Sequence, residues 1–372
     1  MIKNDKNDEN ARNARNDRRV ENGELNTGRF LRRLFLTAAL LLAAAALLVL
    51  LFDPYYHYHK PLPGLKAVLQ EKEYQVVGTL RHFDYDAVLA GSSMVENNDN
   101  AWFDEAFGCR TVKAVRSYGG VADLAWFLRE AFEHREVRKV FFNIDPASLT
   151  LSPETTFKAT GCPMYLYDRD PVNDVSYLLN ISVLAEKIPY MLARSLGGYN
   201  EGLSYNWAEG KDFSRQGALS HYDRLEERLP VKPADCYAEN LAGNIALLEE
   251  LVGAHPETEF FFFLPPYSAA WWDDSVRNGE YEAYLYCMKK TAESLLPFEN
   301  VRFFDFQNER GITTDLDNYM DTIHFSPEIN RLLVDYMKEG RCELSQETLD
   351  GVFEETKAFA LSIPEELFSE SN

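Results

Sequence analysis

The chain has 372 residues, 46% of them hydrophobic, with 59 Asp and Glu against 38 Lys and Arg and a formal charge of −21. That length and apolar content suit one large α/β domain or two smaller ones and exclude a wholly disordered chain. The acidity excludes a nucleic-acid partner, which would need a basic surface.

The charge is unevenly spread, with +3 on residues 1–33 and −24 on the remainder. The first 28 residues are rich in Asn, Arg and Asp and too poor in apolar groups to bury a core, so a disordered cytoplasmic tail is expected over 1–33. Leu34 to Phe52 follows, nineteen residues without a charge, long enough as a helix to cross a bilayer. A cleaved signal peptide is the competing reading, but the run ends in Asp53-Pro54-Tyr55-Tyr56 rather than in small residues. A single retained span over 34–53 is therefore expected, which makes the membrane the first partner. Arg29, Arg32 and Arg33 precede it, so the positive-inside rule puts the N-terminus in the cytoplasm and everything from Pro54 outside the cell membrane.

Residues 54–84 read as a juxtamembrane linker. The tyrosines of "DPYYHYHKP" suit an aromatic belt at the far interface. His57 and His59 have a spacing that could ligate a metal from an extended strand, but the belt explains the segment more simply.

From there short apolar runs alternate with amphipathic segments. "DAVLAG" (86–91), "TVKAV" (111–115), "KVFFNID" (139–145), "EFFFFLPP" (259–266) and "VRFFDF" (301–306) read as five buried strands. Between the second and third, residues 122–134 repeat apolar groups at three- and four-residue steps, which predicts a helix. Such alternation implies a parallel sheet covered on both faces, and Phe260 to Phe263 suits only a strand buried on both sides. The pattern breaks over about 146–235, a Pro-, Gly- and Tyr-containing insertion with a predicted helix near Val175 to Arg194. Placed after the third strand, it either walls a site at the strand ends or elaborates the surface. The α/β domain spans 85–345, and 346–372 forms a helical tail.

Five cysteines are scattered without a Cys-x-x-Cys pair, so neither a zinc ribbon nor a thioredoxin-like site is indicated. Cys162 and Cys236 flank the same irregular region and are the expected bridge if one forms.

The chemistry concentrates at two places. The first strand run ends in Gly91-Ser92-Ser93, which is either turn material or a nucleophile that needs a base and an oxyanion site. Far downstream stands Asp321-Thr322-Ile323-His324, ahead of a helix marked by Ser326 and Pro327. An aspartate three residues before a histidine can accept Nδ1–H and leave Nε2 to take a serine proton.

On Ser93 and Asp321-x-x-His324 the chain resembles the SGNH/GDSL hydrolases. The Gly-Ser-Ser block with an N-terminal anchor looks like their cell-envelope branch, which includes the teichoic acid D-alanine transfer protein and the alginate acetylation proteins. The resemblance implies a flavodoxin-like three-layer parallel sheet with Ser93 as nucleophile, His324 as base and Asp321 as orienter. It also implies oxyanion donors at Ser93 and at Gly119 or Gly120 in "VRSYGGVAD". The family's Gly-x-Asn-Asp block is replaced by "FFNIDPAS", where Asn143 or Asp145 stands nearest. "LPPYSAAWWDD" places Tyr267, Trp271 and Trp272 after the fourth strand, as sugar-stacking groups or as packing. The implied function is an extracytoplasmic serine esterase or O-acyltransferase that needs no cofactor or metal. Its implied substrate is an envelope polysaccharide or teichoic-acid-like polymer, and its implied partner a membrane-bound O-acyltransferase. A non-catalytic polymer-binding or scaffold protein is the alternative.

Overall fold

The computed structural model describes residues 5–368, leaving aside the side chains of 5–10 and 19–26. The chain divides into two units: residues 1–53 with 170–190, and 54–169 with 191–372.

In the first unit the helix α1 (Asp5–Phe52) carries the stretch Thr27–Phe52, which among the described residues is long and apolar enough to cross a membrane. The polar tail expected to be disordered continues this helix from Asp5. Extending an existing helix adds one hydrogen bond per residue without a new nucleation cost, and the tail holds no proline to stop it. The helix expected near Val175 to Arg194 is broken into a turn at Val175–Leu178, a π turn at Val183–Lys187 and a helix at Ile188–Leu196. Asn180 makes the break, its side chain accepting from the Ser182 and Val183 N–H groups.

The second unit is an α/β domain. Its strands are β1 (Ala87–Gly91), β2 (Thr111–Val115), β3 (Lys139–Asn143), β4 (Glu259–Leu264) and β5 (Val301–Asp305). All pair in parallel in the order β2-β1-β3-β4-β5. The last three stop one or two residues short of their apolar runs; β4 stops at Pro265-Pro266, which has no N–H for the ladder.

The phenylalanine run shows why both faces must be covered. Successive side chains of a strand point to opposite faces. Phe261 accordingly meets Phe141 and Phe107 on one face, while Phe260 and Phe262 meet Phe132, Phe142 and Phe303 on the other. Phe107 ends α4 (Asn100–Phe107), and Phe132 lies on α5 (Val121–His134), so these helices occupy opposite layers. Each fully buried ring stabilises the core by roughly 1.5–3 kcal/mol relative to exposure. α6 (Ala238–Ala254) lies beside α5 and α8 (Tyr281–Leu295) beside α6. α9 (Pro327–Glu339) packs with α4 on the opposite layer. The C-terminal helix α10 (Leu349–Ser362) docks on α8 and on α7 (Ala269–Arg277) through Leu349, Phe353 and Ala360.

Residues 54–84 are not a linker. They contain α2 (Lys72–His82), whose Val76, Val77 and Leu80 are buried and which packs on α5. Tyr55 and Tyr56 are also buried rather than arrayed as an interfacial belt, because their hydroxyls find protein partners. The Tyr56 hydroxyl accepts from the Val68 N–H at 2.7 Å, and Tyr55 donates to Glu71. Among the described residues, neither His57 nor His59 belongs to a group of three or more side chains that could hold a metal ion. The His57 ring packs edge-on against Tyr58, and His59 Nδ1 lies 2.6 Å from the Lys60 carbonyl. Cys162 and Cys236 are both free thiols; Cys162 is buried and takes a hydrogen bond from Arg116 Nη1, while Cys236 is exposed.

Candidate active site at the end of the first strand

β1 ends at Gly91, and the chain turns at once into the one-turn helix α3 (Ser93–Glu96). The Ser92 side chain caps this turn by accepting from the Met94 N–H. The turn is tight because Gly91 has no side chain: a Cβ there would lie 2.8 Å from both Asn143 Cβ and Val95 Cγ2. Ser93 is the first residue of the helix, where a backbone N–H has no intrahelical acceptor.

Ser93 Oγ lies 2.8 Å from His324 Nε2, across 231 residues of sequence. His324 Nδ1 lies 2.6 Å from Asp321 Oδ2. The other oxygen, Asp321 Oδ1, accepts from the Ile323 and His324 N–H groups at 2.9 and 2.8 Å. Burial opposes ionisation of Asp321, but the hydrogen bond and charge of His324, with those two N–H groups, outweigh it. The carboxyl is held below the usual range. Tyr319 and Phe325 close the loop ahead of α9 with a bridge, and Ser326 and Pro327 start the helix. The three expected side chains are thus in hydrogen-bond sequence, with Nδ1 partnered by carboxylate and Nε2 facing the hydroxyl.

The expected oxyanion residues fare differently. The Gly119 N–H donates to the Arg116 carbonyl at 3.1 Å, and the Gly120 N–H closes a capping box with Asp123. Both amides are therefore engaged within their own turn. Arg116 keeps that turn in place by pairing with Asp123 at 3.3 Å. Asn143 is buried beside Gly91; its Nδ2 donates to Asp145 Oδ1 at 3.3 Å and its Oδ1 has no partner.

Of the three aromatics after β4, none lies open beside the serine. Tyr267 is buried and donates its hydroxyl to Asp145 Oδ1 at 2.7 Å. Asp145 is itself pushed up, first by burial, against the opposing hydrogen bonds of Ser92, Tyr267 and Asn143. Trp272 is fully buried, its Nε1 donating to Gln307 Oε1 at 2.9 Å, which makes it a core residue. Trp271 is half-buried among Tyr267, Trp272 and Tyr284.

Two residues that sequence reasoning passed over matter more. Trp207, from the insertion, sets its ring perpendicular to His324 at a centroid distance of 5.1 Å, and its backbone N–H donates to Asn97 Oδ1. That part of the insertion walls the site. Lys113, in the middle of β2, is 1% exposed, and its Nζ donates to the carbonyls of Glu96, Asn98 and Ser204 at 2.8, 2.6 and 2.5 Å. Burial pulls its pKa down to about 7. A lysine inside an otherwise apolar strand was the available signal for it. Nothing local marked Trp207.

A cleft of about 790 Å³ is lined by Asn97, Trp102, Arg194, Asn206, Lys211 and Glu328, among others. No triad side chain lines it, but four of these residues, Asn97, Asn206, Lys211 and Glu328, stand within four positions of Ser93, His324 or Trp207.

No protein-family model matches the chain, and no curated protein matches it. Among solved structures it is similar to a Streptococcus pneumonia protein described as a "putative platelet activating factor". The identity is 13%, the coverage 72% of this chain and 91% of the other, and the TM-score 0.36.

Proposed function

We propose that the protein is a membrane-anchored serine esterase or O-acyltransferase of the SGNH type, with a flavodoxin-like sheet and its α/β domain outside the cell membrane. The observation that carries this reading is the unbroken path from Ser93 Oγ through His324 to Asp321. In the reaction, Ser93 Oγ attacks the ester carbonyl while Nε2 takes its proton, and Asp321 stabilises the imidazolium by accepting Nδ1–H. Collapse of the tetrahedral intermediate expels the alcohol, which takes the proton back from Nε2 and leaves an acyl-serine. Water or a sugar hydroxyl then attacks by the same route in reverse. The N–H of Ser93, at the start of α3, is the donor best placed for the developing oxyanion.

The substrate reading, acyl esters of an envelope polysaccharide or teichoic-acid-like polymer, rests on the family resemblance and the single apolar helix. The adjoining cleft supports it by pairing Trp102 with amides and charged groups, a mixture that suits a sugar chain. A second reading, a polymer-binding or scaffold protein without catalysis, is favoured by the engaged amides of Gly119 and Gly120.

A fluorophosphonate probe on the detergent-solubilised full chain separates the two. The expected result is one covalent adduct on Ser93 that is lost in Ser93→Ala. An unlabelled protein, or labelling that survives Ser93→Ala, refutes the catalytic reading.

A further inference from the structure

We propose that residues 170–190 form a foot that lies in the lipid interface beside the exit of α1; this rests on reading Thr27–Phe52 as a membrane span. The segment belongs to the same unit as α1. Its turn at Val175–Leu178 and its π turn at Val183–Lys187 both pack on that helix. Asp53 ends the helix with its N–H on the Val49 carbonyl, in a left-handed conformation (φ 40°). Its Oδ1 takes a 2.7 Å hydrogen bond from the Tyr177 hydroxyl, and both residues are fully buried. The foot is thereby fastened to the point where the helix ends.

Its inner side is Tyr177 and Val183, each 0% exposed. Its outer side carries Val172 and Ile181, each 79% exposed, with Val175 at 53% and Leu179 at 38%. From Val175 to Ala185 there are eleven residues without a charge. Branched aliphatics left this bare are unfavourable in water and mark a surface that something covers.

Continuity with α1 identifies the cover as lipid. In the last turns of the helix Val49 is buried, while Leu47, Leu48, Leu50 and Leu51 remain exposed. The apolar stretch is 26 residues long, about 39 Å at the helical rise, which exceeds a hydrocarbon core of about 30 Å. Its end therefore reaches the interfacial layer, and a segment fastened at Asp53 lies at that depth. An apolar outer side above a polar-bonded inner side is the arrangement of an interfacial amphipathic segment.

The test places a nitroxide at Leu40→Cys, Ile181→Cys or Glu347→Cys in a Cys236→Ser, Cys342→Ser background. The full chain is reconstituted in phosphatidylcholine vesicles, and collisions with oxygen are compared with those of a water-soluble nickel chelate. The expected result is oxygen-favoured relaxation at 40 and 181 and nickel-favoured relaxation at 347. Nickel-favoured relaxation at 181 with oxygen-favoured relaxation at 40 overturns the foot and leaves the span standing. Nickel-favoured relaxation at 40 removes the span, and the foot with it. Low collision rates with both reagents at 181 show that a second copy of the chain covers the patch, which also overturns the lipid assignment.

Discussion

Asp321→Asn is the sharpest perturbation of the site, because the structure dictates how the new amide must sit. Asp321 Oδ1 accepts from two backbone N–H groups, Ile323 and His324. An asparagine keeps both bonds only with its carbonyl oxygen in that place, so its NH2 group must face His324 Nδ1. Nδ1 then becomes an acceptor and the ring proton moves to Nε2, the atom 2.8 Å from Ser93 Oγ. A protonated Nε2 cannot take the serine proton. Loss of the correct tautomer costs on the order of 10⁴ in rate, or about 5.5 kcal/mol of activation free energy. The assay is the rate of fluorophosphonate labelling of Ser93, with a thermal melt on the same sample to show that the fold is retained. The reasoning fails if Asp321→Asn labels within about ten-fold of the wild-type rate while folded.

Gly91→Ala puts a methyl 2.8 Å from Asn143 Cβ and from Val95 Cγ2; overpacking of this kind costs about 1–3 kcal/mol. A lower melting temperature and slower labelling are expected, and wild-type values for both refute the close approach. Asp305, buried at the end of β5 with one oxygen unpartnered, has its pKa pushed up to about 7 by burial. The folded state thus binds the extra proton between the unfolded carboxyl value near 4 and about 7. Stability is fully present below that window and falls as pH rises through it, by up to roughly 4 kcal/mol. Asp305→Asn should therefore melt higher than wild type at pH 8, with the gap shrinking at pH 5; a gap independent of pH refutes the assignment.

The sequence spoke most clearly where one residue type has one physical use. Four consecutive phenylalanines suit only a doubly buried strand, and a helix of nineteen uncharged residues can face only lipid or a core. Ser93 and Asp321-x-x-His324 were legible as candidates because their chemistry is local to short blocks, while their meeting depended on the sheet. What stayed hidden depended on long-range partners. Tyr55 and Tyr56 read as interfacial until Val68 and Glu71 supplied hydrogen bonds. Trp272 read either as a stacking group or as packing, and only Gln307, which gives its indole an internal acceptor, places it in the core. The resemblance implied an oxyanion donor at Gly119 or Gly120, but a Gly-Gly pair in a sequence marks a turn without telling where its amides point.

The strand order explains why these pieces assemble where they do. The chain runs outward from β1 to β2 and then returns past it to β3, so the connections on either side of β1 diverge and leave a crevice at its carboxyl end. Gly91 and Asn143 are the last residues of β1 and β3, on the two sides of that crevice, and Ser93 stands above it. Lys113 ties the rim of the crevice together: its Nζ donates to the carbonyls of Glu96 and Asn98, just after the nucleophile, and of Ser204, three residues before Trp207. The serine turn and the wall over His324 are therefore tied to a single buried lysine on β2, and neither moves without breaking hydrogen bonds that water is not there to replace.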